Sequence, residues 1–282
     1  MPPIVDIHIH PPIGGQVPAG YADYIRERYP EGPEWLGREF GRPEQIVAHL
    51  DQNGVDYAML LAQTVPITSE LLTNEHLADF CHGQPRLIPC ATVNPYLERD
   101  PAGTLERLVV ERGFRALKLY PTYGYYYPND RMLYPVYAAA QRLRIPVLFH
   151  TGSSVFPGSR LKYGDPLYLD DVAVDFPDLA ILQSHGGRPI WYAHAAALAR
   201  FHPNVYIDVS GLPPRKLPEY FPDLRRIAAK LVFGSDWPGP PGTVRGNVEA
   251  IRALGLPEEV TAAILGGTAA RLLGLDERAA PA

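Results

Sequence analysis

Two histidines separated by one residue, His8 and His10, lie in a largely apolar stretch near the start of the chain. In a β-strand the side chains alternate between two faces, so Asp6, His8 and His10 would share one face and the two intervening isoleucines the other. Buried imidazole and carboxylate groups need polar partners, because leaving them unpaired costs free energy. A metal ion is such a partner, and the spacing favours a metal site. A single His-x-His pair also occurs as ordinary core or surface histidines, so the other histidines decide the interpretation.

Four further polar residues lie at the ends of apolar runs that are typical of β-strands, namely Lys118, His150, His185 and Asp236. The carboxyl ends of the strands in a parallel barrel meet at one mouth, where the active sites of such barrels lie. We therefore expect these four side chains to lie near the two N-terminal histidines. The remaining histidines fall in predicted helices, where solvated or capping roles are typical.

The elements that must position these residues alternate along the chain, because a short apolar run is followed by a segment with helical spacing about eight times. This alternation predicts an α/β fold, a (β/α)8 TIM barrel that forms a single domain over residues 1–282. An open doubly wound sheet is disfavoured, since no glycine-rich dinucleotide turn follows the first strand. The predicted strands cover residues 5–10, 57–61, 87–92, 116–119, 147–150, 180–183, 205–208 and 231–233. The predicted helices cover residues 43–52, 71–81, 104–111, 130–143, 170–176, 190–201, 217–229, 244–254 and 257–273.

Two segments do not fit the repeat. Residues 11–42 are rich in Pro, Gly and Tyr, and a loop of this length in a compact domain indicates a lid or long binding loop. A solvated excursion with a short helix near residues 21–28 is the alternative for this segment. The Ala- and Pro-containing end of the chain, residues 274–282, is expected to be a frayed tail.

The composition excludes several classes of function. The chain has 282 residues, of which 46% are hydrophobic and 20% charged, and its net charge of -5 leaves no basic surface for nucleic acid or an anionic membrane. We see no signal peptide and no apolar run long enough to span a membrane, and expect a cytoplasmic protein. Cys81 and Cys90 lack metal-ligand spacing and indicate buried or semi-buried thiols in a reducing compartment. A homodimer is possible but not required.

The polar residues together form a pattern that no single one of them would establish. A His-x-His on the first strand, single histidines after the fifth and sixth strands and an Asp after the eighth resemble the amidohydrolase superfamily. The Thr-Gly after His150 and the Gly-Gly-Arg after His185 are similar to its amidohydrolase-related branch, which includes enzymes of the 2-pyrone-4,6-dicarboxylate lactonase and aminocarboxymuconate-semialdehyde decarboxylase types. The resemblance extends from Ile4 to about Leu273.

This resemblance implies a set of metal ligands. His8, His10, His150 and Asp236 would bind one divalent cation, for which three imidazoles and a carboxylate suit Zn²⁺ best, with Mn²⁺ or Fe²⁺ as alternatives. His185 would lie beside the ion, either as a further ligand or as a hydrogen-bond donor to water or substrate. Asp236 has a second plausible role, as the general base that accepts a proton from the attacking water.

The resemblance leaves the role of Lys118 open. In binuclear members of the superfamily, a lysine at this place is carbamylated and bridges two metal ions. The neighbouring Tyr120 and the tyrosines that follow favour an unmodified ammonium, which would bind a substrate carboxylate or phenolate among aromatic rings. Arg188 starts close to the mouth and is a second candidate for pairing with a small anionic substrate. Arg160 and Lys162 are equally well explained as surface cations.

The leading hypothesis is a metal-dependent hydrolase of a small carboxylate-bearing lactone, ester or amide. It would use metal-activated water, with Asp236 as general base, while His185 and the metal polarise the carbonyl. The alternative is a metal-dependent nonoxidative decarboxylase of a small aromatic or unsaturated carboxylic acid, which the number of cations favours and the short chain disfavours. A barrel that binds a metal or ligand without turnover is a third possibility, because a fold alone does not establish an activity.

Overall fold

Eight parallel strands form a nearly closed barrel in the computed structural model, which describes residues 2–13, 19–65, 71–239 and 242–275. Each strand is hydrogen-bonded to the next in chain order, and the helices surround the barrel. The predicted (β/α)8 fold is therefore confirmed. The strands are β1 (Val5–Ile9), β2 (Tyr57–Leu61), β3 (Leu87–Thr92), β4 (Ala116–Leu119), β5 (Val147–His150), β6 (Ile181–Ser184), β7 (Val205–Asp208) and β8 (Leu231–Val232). A short antiparallel pair, Gln63–Thr64 with Leu71–Leu72, lies outside the barrel sheet.

Backbone hydrogen bonds between the segment after β8 and β1 close the barrel. The Ile7 amide donates to the Phe233 carbonyl at 3.2 Å, and the Asp236 amide donates to the His8 carbonyl at 2.8 Å. A third bond runs from the His10 amide to the Trp237 carbonyl at 2.9 Å. These three hydrogen bonds form a seam between β1 and the segment after β8, at the place where the sequence predicts the site.

Helices follow most of the barrel strands. They are α1 (Ala19–Arg26), α2 (Gly32–Phe40), α3 (Pro43–Asn53), α4 (Asn74–Cys81), α5 (Pro101–Arg112), α6 (Pro121–Gly124), α7 (Tyr134–Leu143), α8 (Leu169–Asp175), α9 (Tyr192–Phe201), α10 (Leu217–Tyr220), α11 (Leu224–Ile227), α12 (Val244–Arg252), α13 (Glu258–Ala262) and α14 (Thr268–Leu272), with a π-helical turn at Ala263–Gly267. Short 3₁₀ turns lie at Arg131–Leu133, Leu161–Gly164, Pro166–Tyr168, His185–Gly187, Pro214–Lys216 and Ala228–Lys230. Within the described ranges, none of these helices has the length and apolarity to cross a lipid bilayer.

One predicted helix is wrong. The segment 217–229 contains two four-residue helices, α10 and α11, followed by a 3₁₀ turn. Pro222 lies between the two helices, and proline in a helix interior lacks the amide donor and clashes with the preceding turn. The apolar spacing is correct, but the proline ends the first helix.

The prediction that the side chains of Ile7 and Ile9 share one face of β1 is also wrong. Ile7 packs in the barrel interior with residues such as Met59, whereas Ile9 packs in the layer between the strands and the helices. The pairing of β1 with β2 shifts register between Asp6 and Ile9, and such an irregularity reverses the faces of the residues that follow it. Ile7 and Ile9 therefore do not share a face.

The segment predicted as a lid or long loop contains two helices. α1 and α2 lie within residues 11–42, and α1 overlaps the short helix that was the alternative near residues 21–28 but ends at Arg26. Residues 14–18 of this segment and residues 276–282 of the predicted tail lie outside the described residues. Whether 11–42 moves as a lid stays a prediction.

Candidate metal centre and active site

The carboxylate of Asp236 lies at the centre of a group of imidazoles at the carboxyl ends of the strands. Its Oδ1 atom is 3.5 Å from His8 Nε2 and 3.6 Å from His10 Nε2, and its Oδ2 atom is 3.9 Å from His185 Nδ1. His8, His185 and Asp236 each offer a ligand atom within 4.8 Å of the others. Side chains from the first, sixth and eighth strands thus meet at the barrel mouth, as the sequence predicts.

The segment that follows β8 approaches the site closely because it contains Gly234. A β-carbon at this position would lie 2.7 Å from the β-carbon of His8 and 2.8 Å from Asp208 Oδ1. Any larger residue would therefore push the chain away from β1. The glycine allows Asp236, two residues later, to reach the histidines.

His8 is held in one tautomer. Its Nδ1 atom is 2.6 Å from Asp208 Oδ2, and both side chains are fully buried. A carboxylate accepts hydrogen bonds, so Nδ1 carries the proton and donates it, and Nε2 carries the lone pair. This Nε2 atom is buried and has no hydrogen-bond partner in the described part of the chain.

His185 is held in a similar way by the backbone. Its Nδ1 atom donates to the Ser210 carbonyl at 2.9 Å, which leaves the Nε2 lone pair available. His185 and Asp236 have positive φ angles of 67° and 62°, in the left-handed region that residues other than glycine adopt rarely. Unusual backbone of this kind is concentrated at functional sites.

His150, predicted as a ligand, is next to the group but outside it. Its ring centroid lies 4.7 Å from that of His185. However, its Nε2 atom donates to the Ser153 carbonyl at 3.0 Å, and its Nδ1 atom is 3.3 Å from the Tyr123 hydroxyl. Both ring nitrogens therefore have partners, and the structure brings His150 near the centre without directing a nitrogen at Asp236.

The predicted substrate-binding residues differ in their access to the site. Lys118 is fully buried, its Nζ atom donates to Ser184 Oγ at 2.7 Å, and burial lowers its pKa to about 8. Tyr120 is also buried and donates its hydroxyl to the Ala62 carbonyl at 2.7 Å. Arg188 donates to the Gly211 carbonyl at 2.9 Å and places Nη2 3.7 Å from Asp236 Oδ2.

A small cavity of about 40 Å³ opens beside these groups. Five aromatic rings line it, from Tyr21, Tyr24, Tyr120, Tyr123 and Phe156. Six polar side chains also line it, those of His10, Gln63, His150, His185, Arg188 and Asp236. Tyr21 and Tyr24 belong to α1, so part of the predicted lid segment covers the site. Arg160 and Lys162 instead lie over the rings of Tyr125 and Tyr163, at 4.3 and 4.8 Å.

The electrostatics of the site favour neutral imidazoles. Burial lowers the pKa of His10, His150 and His185 well below that of a free imidazole, and nearby positive charges, including Lys118, act in the same direction. Burial raises the pKa of Asp236 above its usual value, although His8 and the arginine beside it oppose this. Neutral imidazole is the form that binds metal ions.

A family model described as Amidohydrolase matches residues 5–275. The chain belongs to the amidohydrolase family. The predicted family is therefore confirmed over almost the whole length of this amidohydrolase. The prediction that the protein is an enzyme of the amidohydrolase-related type is confirmed as well.

Solved structures similar to this amidohydrolase include members with different activities. An uncharacterised TIM-barrel protein, Bb4693, from Bordetella bronchiseptica has 23% identity and a TM-score of 0.79, with 98% of this chain and 99% of that chain covered. A dihydroxybenzoic acid decarboxylase from Polaromonas sp. JS666, with bound manganese and 2-nitroresorcinol, has 17% identity, a TM-score of 0.70 and 98% coverage of both chains. A probable 2-pyrone-4,6-dicarboxylic acid hydrolase from Acinetobacter baumannii has 18% identity and a TM-score of 0.66, with 96% of this chain and 99% of that chain covered.

The residues of this amidohydrolase fit a divalent cation. The unpartnered Nε2 of His8 is a buried lone pair that lacks a donor, and a cation would satisfy it. The carboxylate that orients its ring from the far side is the arrangement found behind metal-binding histidines. Imidazole and carboxylate donors suit Zn²⁺, Mn²⁺ or Fe²⁺.

Two groups of residues near the site of this amidohydrolase are not among the predicted site residues. Asp208 and Ser210 contact the histidines from the end of β7, and their signal was present, since Asp208 ends a predicted strand. Gln63 and Tyr24 line the cavity from segments without a periodic pattern, where no sequence signal was available.

Proposed function

We propose that this protein is a metal-dependent hydrolase of a small carboxylate-bearing lactone, ester or amide. The observation that carries the proposal is that a neutral His185 and the carboxylate of Asp236, both proton acceptors, line the same small cavity. Hydrolysis needs an acceptor for the proton of the attacking water. A bound divalent cation would lower the pKa of water and polarise the carbonyl.

His8, His10, His185 and Asp236 are the residues best placed to hold the cation, and His150 would join them if its ring turned away from Ser153. We keep Zn²⁺ as the leading candidate, with Mn²⁺ and Fe²⁺ as alternatives, and a single ion, because Lys118 is paired with Ser184. A cytoplasmic location and a homodimer stay predictions.

The residues of the chain would act in three steps, namely substrate binding, proton transfer and release of the leaving group. The guanidinium of Arg188, already oriented by the Gly211 carbonyl, pairs with the substrate carboxylate and fixes the acyl group beside Asp236. Asp236 accepts a proton as the water oxygen bonds to the acyl carbon. The bond from that carbon to the leaving oxygen or nitrogen then breaks, and Asp236 returns the proton to the leaving group. The aromatic walls exclude other water.

A substrate panel in H₂¹⁸O tests this proposal. Protein loaded with Zn²⁺ or Mn²⁺ is incubated with carboxylate-bearing lactones and aryl esters and with hydroxybenzoates. Hydrolysis places one ¹⁸O atom in the new carboxylate of the product. Carbon dioxide release without ¹⁸O in the organic product would overturn the hydrolase proposal.

The Asp236→Asn variant tests the role of the carboxylate. Asparagine tolerates the left-handed backbone at this position, so the fold is expected to persist. We expect kcat to fall roughly 100- to 10,000-fold, the usual contribution of a general base. Metal content is measured in parallel, since Asp236 is also a candidate ligand. The exposed carboxylate of Asp178 provides the control, and Asp178→Asn should leave kcat unchanged.

A nonoxidative decarboxylase remains the second candidate, because the aromatic walls suit a flat ring and Arg188 suits its carboxylate. The match to the Polaromonas decarboxylase extends over 98% of both chains, so chain length no longer argues against this reaction. Here the bond between the ring and the carboxylate breaks, its electron pair stays on the ring carbon, and Asp236, with its raised pKa, supplies the proton. Deuterium from D₂O at that carbon would identify this reaction.

A further inference from the structure

Two buried residues at the end of β7 contact the candidate ligands from behind the cavity. Asp208 and Ser210 are both 0% exposed, and neither lines the cavity as the structure describes it. Seen from Asp236, they lie behind His8, because Asp208 contacts Nδ1 of that ring while Asp236 faces its Nε2. Their contacts therefore act on the orientation of the two rings rather than on a substrate.

Asp208 uses both carboxylate oxygens. Oδ2 accepts from His8 Nδ1 at 2.6 Å and from Ser210 Oγ at 2.9 Å, and Oδ1 accepts from the Ser210 amide at 2.9 Å. The amide contact fixes which oxygen faces the backbone. The other oxygen must then face the imidazole, so His8 can only present Nε2 as a lone pair.

Ser210 contacts both histidines. Its carbonyl accepts from His185 Nδ1 at 2.9 Å, while its hydroxyl lies 2.8 Å from His8 Nδ1 and 3.2 Å from His185 Nδ1. One residue therefore links the two rings at their Nδ1 sides. The effect is the same on each ring, because Nδ1 becomes the donor and Nε2 stays unprotonated.

We propose that Asp208 and Ser210 are positioning residues for one cation. Together they set the Nε2 lone pair of His8, and the Ser210 carbonyl fixes the ring of His185, whose Nδ1 atom lies 3.9 Å from Asp236. The inference rests on the proposed metal-dependent function, and it adds that the end of β7, which supplies no predicted ligand, determines how tightly the cation binds. Partners of this kind typically change metal affinity roughly 10- to 100-fold.

The Asp208→Asn variant is the sharpest test. The Ser210 amide keeps the side-chain oxygen of the new residue in place, so its NH₂ group faces His8 Nδ1 and donates to it. His8 must then carry its proton on Nε2, the reverse of the wild-type tautomer. We expect the ring ¹⁵N shifts of His8 in metal-free protein to exchange their assignments. We also expect Zn²⁺ affinity, measured by competition with a chelating dye, to fall roughly 10- to 100-fold.

A matched control uses a second Asp–His pair. Asp170 Oδ1 lies 2.6 Å from His202 Nε2, where α8 and the end of α9 meet outside the strand barrel. Asp170→Asn replaces the carboxylate of this second carboxylate–imidazole pair and should leave Zn²⁺ affinity unchanged. Should Asp208→Asn fail to fold, Ser210→Ala decides, since it removes only the hydroxyl and should still weaken Zn²⁺ binding several-fold.

The outcomes separate the two proposals. Wild-type protein that binds no cation overturns the proposed function together with this inference. A wild type that binds one cation per chain, with unchanged affinity and an unchanged His8 tautomer in Asp208→Asn, overturns only the positioning role. Unchanged Zn²⁺ affinity in Ser210→Ala overturns the role of the Ser210 hydroxyl, because alanine keeps the backbone amide and carbonyl contacts.

Discussion

Two residues of the candidate site, His185 and Asp236, adopt left-handed backbone, with φ angles of 67° and 62°. For a residue with an ordinary side chain this conformation costs roughly 1–2 kcal/mol, while asparagine and aspartate tolerate it better. The turn at the end of each strand thus directs a functional side chain into the mouth at some expense of stability. Neither φ angle could be predicted from the sequence, because neither residue is a glycine.

The strain at position 185 can be measured. We expect His185→Ala to lower the free energy of unfolding by about 1 kcal/mol more than His185→Asn, because alanine lacks asparagine's local hydrogen bonds in this conformation. Urea unfolding of metal-free protein provides the measurement. His194 in the right-handed helix α9 is the control, where alanine is the better helix former and the order of the two variants should reverse.

The buried ammonium of Lys118 gives a pH dependence of stability. Burial lowers its pKa to about 8, whereas an unfolded lysine has a pKa of about 10.4. Between these values the unfolded chain binds more protons than the folded one, so stability rises with pH. From pH 7 to 9.5, we expect the free energy of unfolding of wild type to rise by about 2 kcal/mol relative to Lys118→Met.

Urea titrations of both proteins at several pH values make this comparison. The Met variant corrects for every other group that titrates in the same range. Parallel pH profiles would contradict an unmodified, buried ammonium and would return the carbamylated alternative to consideration.

Among the secondary-structure elements, the spacing of apolar residues predicted the strands well. It did not predict where a helix or a strand is interrupted. All eight barrel strands lie within a residue or two of their predicted positions, because buried parallel strands are short apolar runs. The break in the segment 217–229 was foreseeable from Pro222 but was missed. The register shift in β1 was not foreseeable, because it depends on the pairing with β2 and on the closing contacts with the end of β8.

Helix α1 lies over the cavity, because two of its residues, Tyr21 and Tyr24, line it. A substrate that enters from this side has to displace α1. Tyr21 of α1 stacks on Phe156 with ring centroids 4.8 Å apart. This stack is one of the contacts that hold the helix over the site.

We expect Tyr21→Ala to speed hydrogen exchange of the α1 amides about 2- to 10-fold, because an aromatic pair contributes about 0.5–1.5 kcal/mol. Exchange followed by mass spectrometry of peptides gives the measurement. Peptides from α3 serve as the internal control and should exchange as in wild type. Equal exchange in α1 would show that the stack does not hold the helix over the site.

For the whole molecule, the candidate metal centre coincides with the seam that closes the barrel. His8 lies in the first strand and Asp236 follows the last, and the Asp236 amide donates to the His8 carbonyl at 2.8 Å. The sequence predicted this meeting of distant residues, since a barrel brings all strand ends to one mouth. It did not predict the tautomers, because they depend on Asp208 and Ser210, which pack behind the histidines.

A cation shared across this seam must stabilise the entire barrel, since global unfolding separates its ligands. At a free Zn²⁺ concentration 100 times the Kd, the free energy of unfolding should rise by about 2.7 kcal/mol, which for a chain of this length corresponds to a Tm increase of roughly 5 °C. Thermal unfolding with Zn²⁺ and with a chelator measures the difference. His8→Ala should abolish the increase, while His76→Ala, at an exposed position on α4, should retain it. An increase that persists in His8→Ala would mean that the cation binds elsewhere and that the seam is not its site.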